Sequence, residues 1–143
     1  VAPSPAELLQ TELAAVGVER FTARDYQPGR VLHVVLLRYQ ADIPDAPRHD
    51  VIARFLALAE TERDGTPYIE SIVGGPPAGG EGSEAGFEHG FVLTFASAGD
   101  RNYYVGEPVI SDSRFFDPVH AEFKRFAGPL LAPGGALVFD LAE

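Results

Sequence analysis

Apolar residues along this chain fall into two rhythms, and the switches between them mark out its elements. Leu8, Leu9, Leu13 and Val16 recur at helical spacing. The residues before them form a start signal: Ser4 caps, Pro5 suits the first helical position, and Glu7 closes a capping box. Gly17 is the stop. Val18 to Gly29 follows as a connector. From Val31 to Tyr39 the run Val-Leu-His-Val-Val-Leu-Leu-Arg-Tyr is rich in β-formers and predicts a strand. It is apolar on both alternating faces, which implies burial on both sides.

The turn Asp42–Asp45 then opens a helix carried by Val51, Ile52, Phe55, Leu56 and Ala59 and ending near Asp64-Gly65. Tyr68 to Val73 and Phe87 to Phe95 read as strands two and three. Between them lies a loop, Gly74 to Gly86, dense in Gly, Pro and Glu. Ser97 to Val105 is a short helical stretch, and Gly106 to Phe116 is irregular. Asp117-Pro118 starts a last helix with Phe123, Phe126, Leu130 and Leu131 on its apolar side. Pro133-Gly134-Gly135 ends it, and Ala136 to Leu141 is strand four.

From Val31 onward the order is strand, helix, strand, strand, helix, strand. That is the ferredoxin-like βαββαβ plan, an α+β fold with a four-stranded antiparallel sheet. Its helices cover one face of the sheet. The other face, with Leu32, Val34 and Leu36, is too apolar to stay in water. A second copy packed sheet to sheet would cover it, so the pattern predicts a homodimer. Residues 1–30 form a helical extension and connector, and residues 31–143 form the domain.

Length and charge narrow the class. A chain of 143 residues with 45% hydrophobic residues fits one globular domain. The formal net charge of −10 opposes nucleic acid and anionic membranes as partners, because both need clustered Lys and Arg. The 11 basic residues are scattered. No apolar run has the length of a membrane span, and Val1 to Ala6 lacks the pattern of a signal peptide. Cysteine is absent, which removes disulfides, thiolate chemistry and Cys-based metal sites. A cytoplasmic location is the expectation. The Gly-rich loop lacks the Gly-Lys-Ser/Thr ending of a phosphate cradle and carries Glu81 and Glu84, so it reads as a plain loop.

The candidate chemistry lies in four histidines. His33 sits early in strand one and His89 early in strand three. Read as parallel central neighbours, these strands would set the two imidazoles side by side, on a face shared with Val35, Leu37, Phe91 and Leu93. His120 falls in the first turn of the last helix and by itself reads as a surface or capping residue. His49 reads as solvated, as do Asp100 and Asp112. No carboxylate stands at helical or strand spacing beside the histidines and no HExxH occurs, so neither a metal nor another cofactor is expected.

Four segments carry a resemblance: Val31 to Tyr39, Gly86 to Phe95, Asp117 to Phe123 and Leu137 to Asp140. In this order they resemble the stress-responsive A/B-barrel (Dabb) family, over roughly the last four-fifths of the chain. The resemblance implies a dimer whose two sheets close a barrel, with no activity known for most members. Some members are similar to plant polyketide cyclases, which use a His and a Tyr in a pocket between sheet and helices. Carried over to this chain, the catalytic pair would be His120 and Tyr104, with Tyr103 as a substitute for the latter. His33 and His89 would line the pocket. The segment Val105 to Phe116 departs from the family, which usually places the Tyr only a few residues before the Pro-x-His turn.

Three functions follow as expectations. The first is a dimer with an apolar pocket that binds a small apolar or ketone-rich ligand without turnover. The second is cyclase-like acid–base catalysis, in which a neutral imidazole takes a proton beside a carbonyl and a phenol steadies the enolate oxygen. The third is a cofactor-independent monooxygenase, since antibiotic-biosynthesis monooxygenases share the architecture; the lack of Trp argues against it.

Overall fold

The computed structural model describes all residues 1–143. Helix α1 (Pro5–Val16) begins as its sequence dictates. The Ser4 side chain accepts from the Glu7 backbone N–H, and the Glu7 carboxylate accepts from the Ser4 N–H in return. Gly17 closes it at φ 84°, a value that only glycine adopts without strain. The connector then makes a single turn, α2 (Val18–Phe21), before strand β1 (Pro28–Tyr39). Helix α3 (Asp45–Ala57) follows, shorter than its pattern suggests. Asp64-Gly65 does not end it. With φ of 54° and 81° those two residues instead form the turn of a small hairpin, β2 (Glu62–Arg63) and β3 (Thr66–Pro67). An Asp-Gly pair favours that turn because both positions need positive φ.

Strands β4 (Ile69–Gly75) and β5 (His89–Ser97), helix α4 (Ala98–Val105), helix α5 (Pro118–Ala127) and strand β6 (Leu131–Ala142) complete the chain. Pro133-Gly134-Gly135 lies inside β6 rather than between helix and strand. The large sheet has the order β4-β5-β1-β6, with every pairing antiparallel. This is the ferredoxin-like α+β fold.

Alternation on β1 decides what faces the core. Val31, His33, Val35, Leu37 and Tyr39 are buried, while Leu32, Val34 and Leu36 between them are half-exposed. On β5 the inward set is Phe91, Leu93 and Phe95. Helices α3, α4 and α5 cover this face. Phe55 stacks on Phe91 with ring centroids 4.0 Å apart, and Phe123 meets Phe55 edge-on at 5.2 Å. The connector supplies Phe21 and Tyr26 to the same core. At the start of α4 the chain runs so close to the connector that a Cβ on Gly99 would lie 1.7 Å from the Ala23 carbonyl oxygen.

The outer face carries no helix. Val34 sits between Val92 on β5 and Phe139 on β6, with Val73, Leu137 and Leu141 around them. Phe139 is 59% exposed and Val73 67%, so the apolar outer face expected from the pattern is real. The amphipathic stripe of α1 is only partly used. Leu9 and Leu13 rest against the core, whereas Leu8 and Val16 stay exposed.

Candidate functional site

Register in the sheet builds the first part of the site. His33 on β1 stands directly opposite Asp140 on β6. Their side chains meet at 2.6 Å, His33 Nδ1 to Asp140 Oδ1. The second carboxylate oxygen accepts from Arg101 of α4 at 2.7 Å. Arg101 Nε also donates to Asn102 Oδ1, and Asn102 Nδ2 donates to the Phe21 carbonyl. A chain of polar contacts therefore runs from strand to strand to helix to connector. His33 is 5% exposed, so its imidazole is held out of water by this pairing. Burial alone would raise the Asp140 carboxyl. The hydrogen bonds and charges of His33 and Arg101 outweigh it and hold the group below its ordinary value. Asp140 thus stays ionised and accepts from a proton-bearing Nδ1, which turns the opposite ring nitrogen, Nε2, away from the carboxylate.

This wall opens on a cavity of about 390 Å³. Phe21, Val105, Val109 and Val138 give it apolar sides, and Pro5 and Leu9 of α1 line its outer side. Apolar walls with a few convergent polar groups are what small-ligand sites share.

The second part lies deeper. Asp117 caps α5, its carboxylate accepting from the Val119 and His120 backbone N–H groups and from the Tyr68 hydroxyl. His120 shares the helix face of Phe123 and Ala127, and it is 8% exposed rather than a surface residue. Its Nδ1–H donates to the Tyr104 carbonyl at 2.5 Å, and its ring stacks on that of Tyr104 at 3.7 Å. The Tyr104 ring in turn meets His33 edge-on at 5.6 Å. His33, Tyr104 and His120 therefore form one continuous aromatic cluster, edge-on at its first contact and stacked at its second. The Tyr104 hydroxyl is buried without a partner, and burial raises it well above the usual phenol range. Burial also pushes His120 down to about 3, only partly offset by the Tyr104 carbonyl; Lys124 and His33 push the same way.

That depression has a consequence for stability. An unfolded His120 takes up a proton near its ordinary value of about 6.5, while the folded one does not until about 3. Stability is unaffected above pH 6.5 and falls as the pH drops below it, by about 1 kcal/mol per pH unit. Urea unfolding at pH 7, 6 and 5 should trace that slope in the wild type. His120→Phe should flatten it, and an unchanged slope in the variant would assign the acid sensitivity elsewhere.

Four expectations need correction. Strands β1 and β5 run antiparallel, so His33 pairs with Leu93, and His89 pairs with Leu37. The two histidines share a face but sit at opposite ends of it. His89 lies beside Phe91 and the Pro76-Pro77 loop, away from the cavity, and its Nδ1 is buried without a partner. Val35, Leu37, Phe91 and Leu93 are core residues and do not line the cavity. Tyr103 points elsewhere as well, edge-on to Tyr68 and under the Arg63 guanidinium. Asp100 is not solvated: it is 3% exposed and bonded to Arg63 at 2.9 Å.

Asp140 and Arg101 are the functional candidates that sequence reasoning passed over. One signal existed for the first, since Asp is depleted in strands and Asp140 interrupts the apolar run Leu137 to Leu141. Nothing comparable marks Arg101 or Leu9. No group of three or more His, Asp or Glu side chains has the arrangement to hold a metal ion, and no helix is long and apolar enough to cross a membrane.

The family model described as the Stress responsive A/B Barrel Domain matches residues 31–142. Among solved structures, a hydroxynitrile lyase from Passiflora edulis superposes with a TM-score of 0.61 at 22% identity, covering 81% of this chain and 94% of its own. A Dabb family protein with a ferredoxin-like fold from Mesorhizobium loti gives 0.58 at 14% identity, covering 80% and 97%. A dimeric ferredoxin-like protein of unknown function from Bacteroides fragilis gives 0.56 at 18% identity, covering 82% and 100%. No curated protein matches. At these identities the solved structures speak for the fold. The family match spans most of the chain, and the chain belongs to the stress-responsive A/B-barrel family.

Proposed function

We propose that this A/B-barrel protein is a homodimer that binds a small, largely apolar ligand in the cavity beside His33. One observation carries the reading: a buried imidazole, oriented by a carboxylate at 2.6 Å, forms the polar wall of an otherwise apolar cavity. A merely structural histidine needs its polar atoms satisfied, but it needs no adjacent space. The charges of Asp140 and Arg101 offset one another at the wall, which suits an uncharged ligand. A ligand hydroxyl can donate to His33 Nε2, and a ketone can accept from whichever guanidinium N–H groups remain free. The apolar outer face and the dimeric description of the Bacteroides fragilis neighbour support the assembly.

Proton transfer is the sharper form of the same reading. The His33–Asp140 arrangement favours it, because a carboxylate on Nδ1 fixes the ring's orientation and leaves Nε2 to exchange a proton with a ligand. His33 is then the better candidate for the base than His120, whose ring is stacked and whose burial strongly disfavours the imidazolium. Tyr104 serves as the packed floor between them rather than as a phenol paired with His120.

Isotope-edited NMR tests the reading with a panel of uncharged hydroxyaromatic and hydroxyketone compounds, 2-naphthol among them. Binding should shift resonances of Leu9, His33, Val105 and Val138 together. His33→Gln should weaken it by about tenfold or more, the loss expected when one buried hydrogen-bond partner goes. Silence across the whole panel, or binding indifferent to His33→Gln, would overturn it. Equal turnover by His33→Gln and wild type would remove the catalytic form.

A further inference from the structure

The matched family region starts at residue 31, yet the cavity is not complete there. Its outer side is made by Pro5 and Leu9, which belong to α1 and lie 24 residues and more before His33 in sequence. The facing side is Val105, Gly106 and Val109, at and beyond the end of α4. Two ties hold the helix there. Gln10 Nε2 donates to the Val109 carbonyl at 3.4 Å, and the Tyr26 hydroxyl donates to Glu12 Oε1 at 2.5 Å.

The way α1 is held sets it apart from the other helices that cover the sheet. It has no fully buried residue, whereas α3, α4 and α5 each bury at least two. A 12-residue helix is marginal alone, so α1 exists because it is docked, yet the docking surface is small. Its two sequence-distant ties are single hydrogen bonds. Such an element opens at far lower free energy than the core beneath it.

We propose that α1 is the movable outer wall of the cavity and that Leu9 is its specificity-determining residue, setting the size of ligand that fits against His33. This rests on the cavity being the binding site. The occupant is the uncharged hydroxylated or ketonic ligand proposed above, bounded on its apolar side by the volume that Leu9 leaves. The Glu12–Tyr26 hydrogen bond is the latch that holds α1 against the cavity.

Acylation of imidazoles by diethyl pyrocarbonate tests the wall without any ligand, in the chain of residues 1–143, with exposed His49 as the internal standard. Tyr26→Phe removes the latch without touching the cavity lining. The His33 to His49 rate ratio should rise by about fivefold, the gain from losing about 1 kcal/mol of docking. Leu9→Gly should raise it further, and Leu9→Trp should lower it below wild type. Ratios within twofold of wild type in all three variants would overturn the wall. A second arm measures size selection with phenol and 2-naphthol. Leu9→Trp should exclude the larger compound and keep the smaller. If His33→Gln weakens both probes while the Leu9 variants bind both as wild type does, the site stands and the role of α1 falls. If His33→Gln weakens neither, the binding site itself is misplaced.

Discussion

Val34→Lys should convert a dimer into a folded monomer. Val34 stands at the middle of the outer face, directly across from Val92 on one neighbouring strand and Phe139 on the other. Its side chain points away from the helices, so the substitution leaves the core of Phe55, Phe91 and Phe123 intact. In a two-fold dimer the two lysines would face the same buried patch, and each ammonium would lose water without gaining a partner. A stable interface buries about 1,200–2,000 Å² in total, and the sheet supplies an apolar surface suited to that. Two unpaired charges at its centre cost several kcal/mol, enough to raise the dimer dissociation constant by about a thousandfold or more. Light scattering at micromolar concentration reads the result, with circular dichroism to show that the variant is folded. A wild type that is already monomeric, or a Val34→Lys variant that still dimerises, would end the sheet-to-sheet assembly.

Asp140→Ala should destabilise the protein by about 2–3 kcal/mol, or roughly 5–10 °C in melting temperature. The carboxylate binds two groups that are themselves mostly buried: the side chain of His33 is 6% exposed and that of Arg101 14%. Removing it strands a guanidinium without its counter-charge. The full cost of breaking a buried pair is larger, but Asp140 itself is a quarter exposed, and water recovers part of the loss. Asp140→Asn keeps an acceptor for His33 and should cost less than half as much. The acid limb follows with a definite sign. Asp140 titrates below its unfolded value, so its stabilisation is complete above the ordinary carboxylate range and is lost as pH falls through the depressed folded value. Guanidinium unfolding of wild type and both variants measures this. A Asp140→Ala effect under 1 kcal/mol would show that the trio does not hold the strand and helix together.

How much of this was readable in the sequence differs element by element. The cap and start of α1, the β1 alternation, the Asp117-Pro118 start of α5 and the βαββαβ order all depend on neighbours in the chain. Local periodicity and capping chemistry suffice for them. Asp64-Gly65 is ambiguous in the sequence because a helix stop and a hairpin turn use the same residues; only the pairing of Glu62 with Pro67 separates them. The burial of His120 was legible in principle, since it continues the inward stripe of Phe123 and Ala127.

The fold class, the apolar character of both faces of the first strand and the helix boundaries at Ser4 and Asp117 are properties of the sequence by itself. They follow from short-range sterics and from the cost of leaving apolar stripes in water. The site was decided by the tertiary structure. Whether His33 meets His89 or Asp140 turns on strand direction and register, and a register is a relation between segments far apart in the chain, such as His33 with Leu93 and with Asp140. The same holds for Arg101 reaching Asp140 and for Leu9 lining the cavity. A buried polar group must find its partner in space, and nothing in the residues flanking it along the chain says which partner that will be.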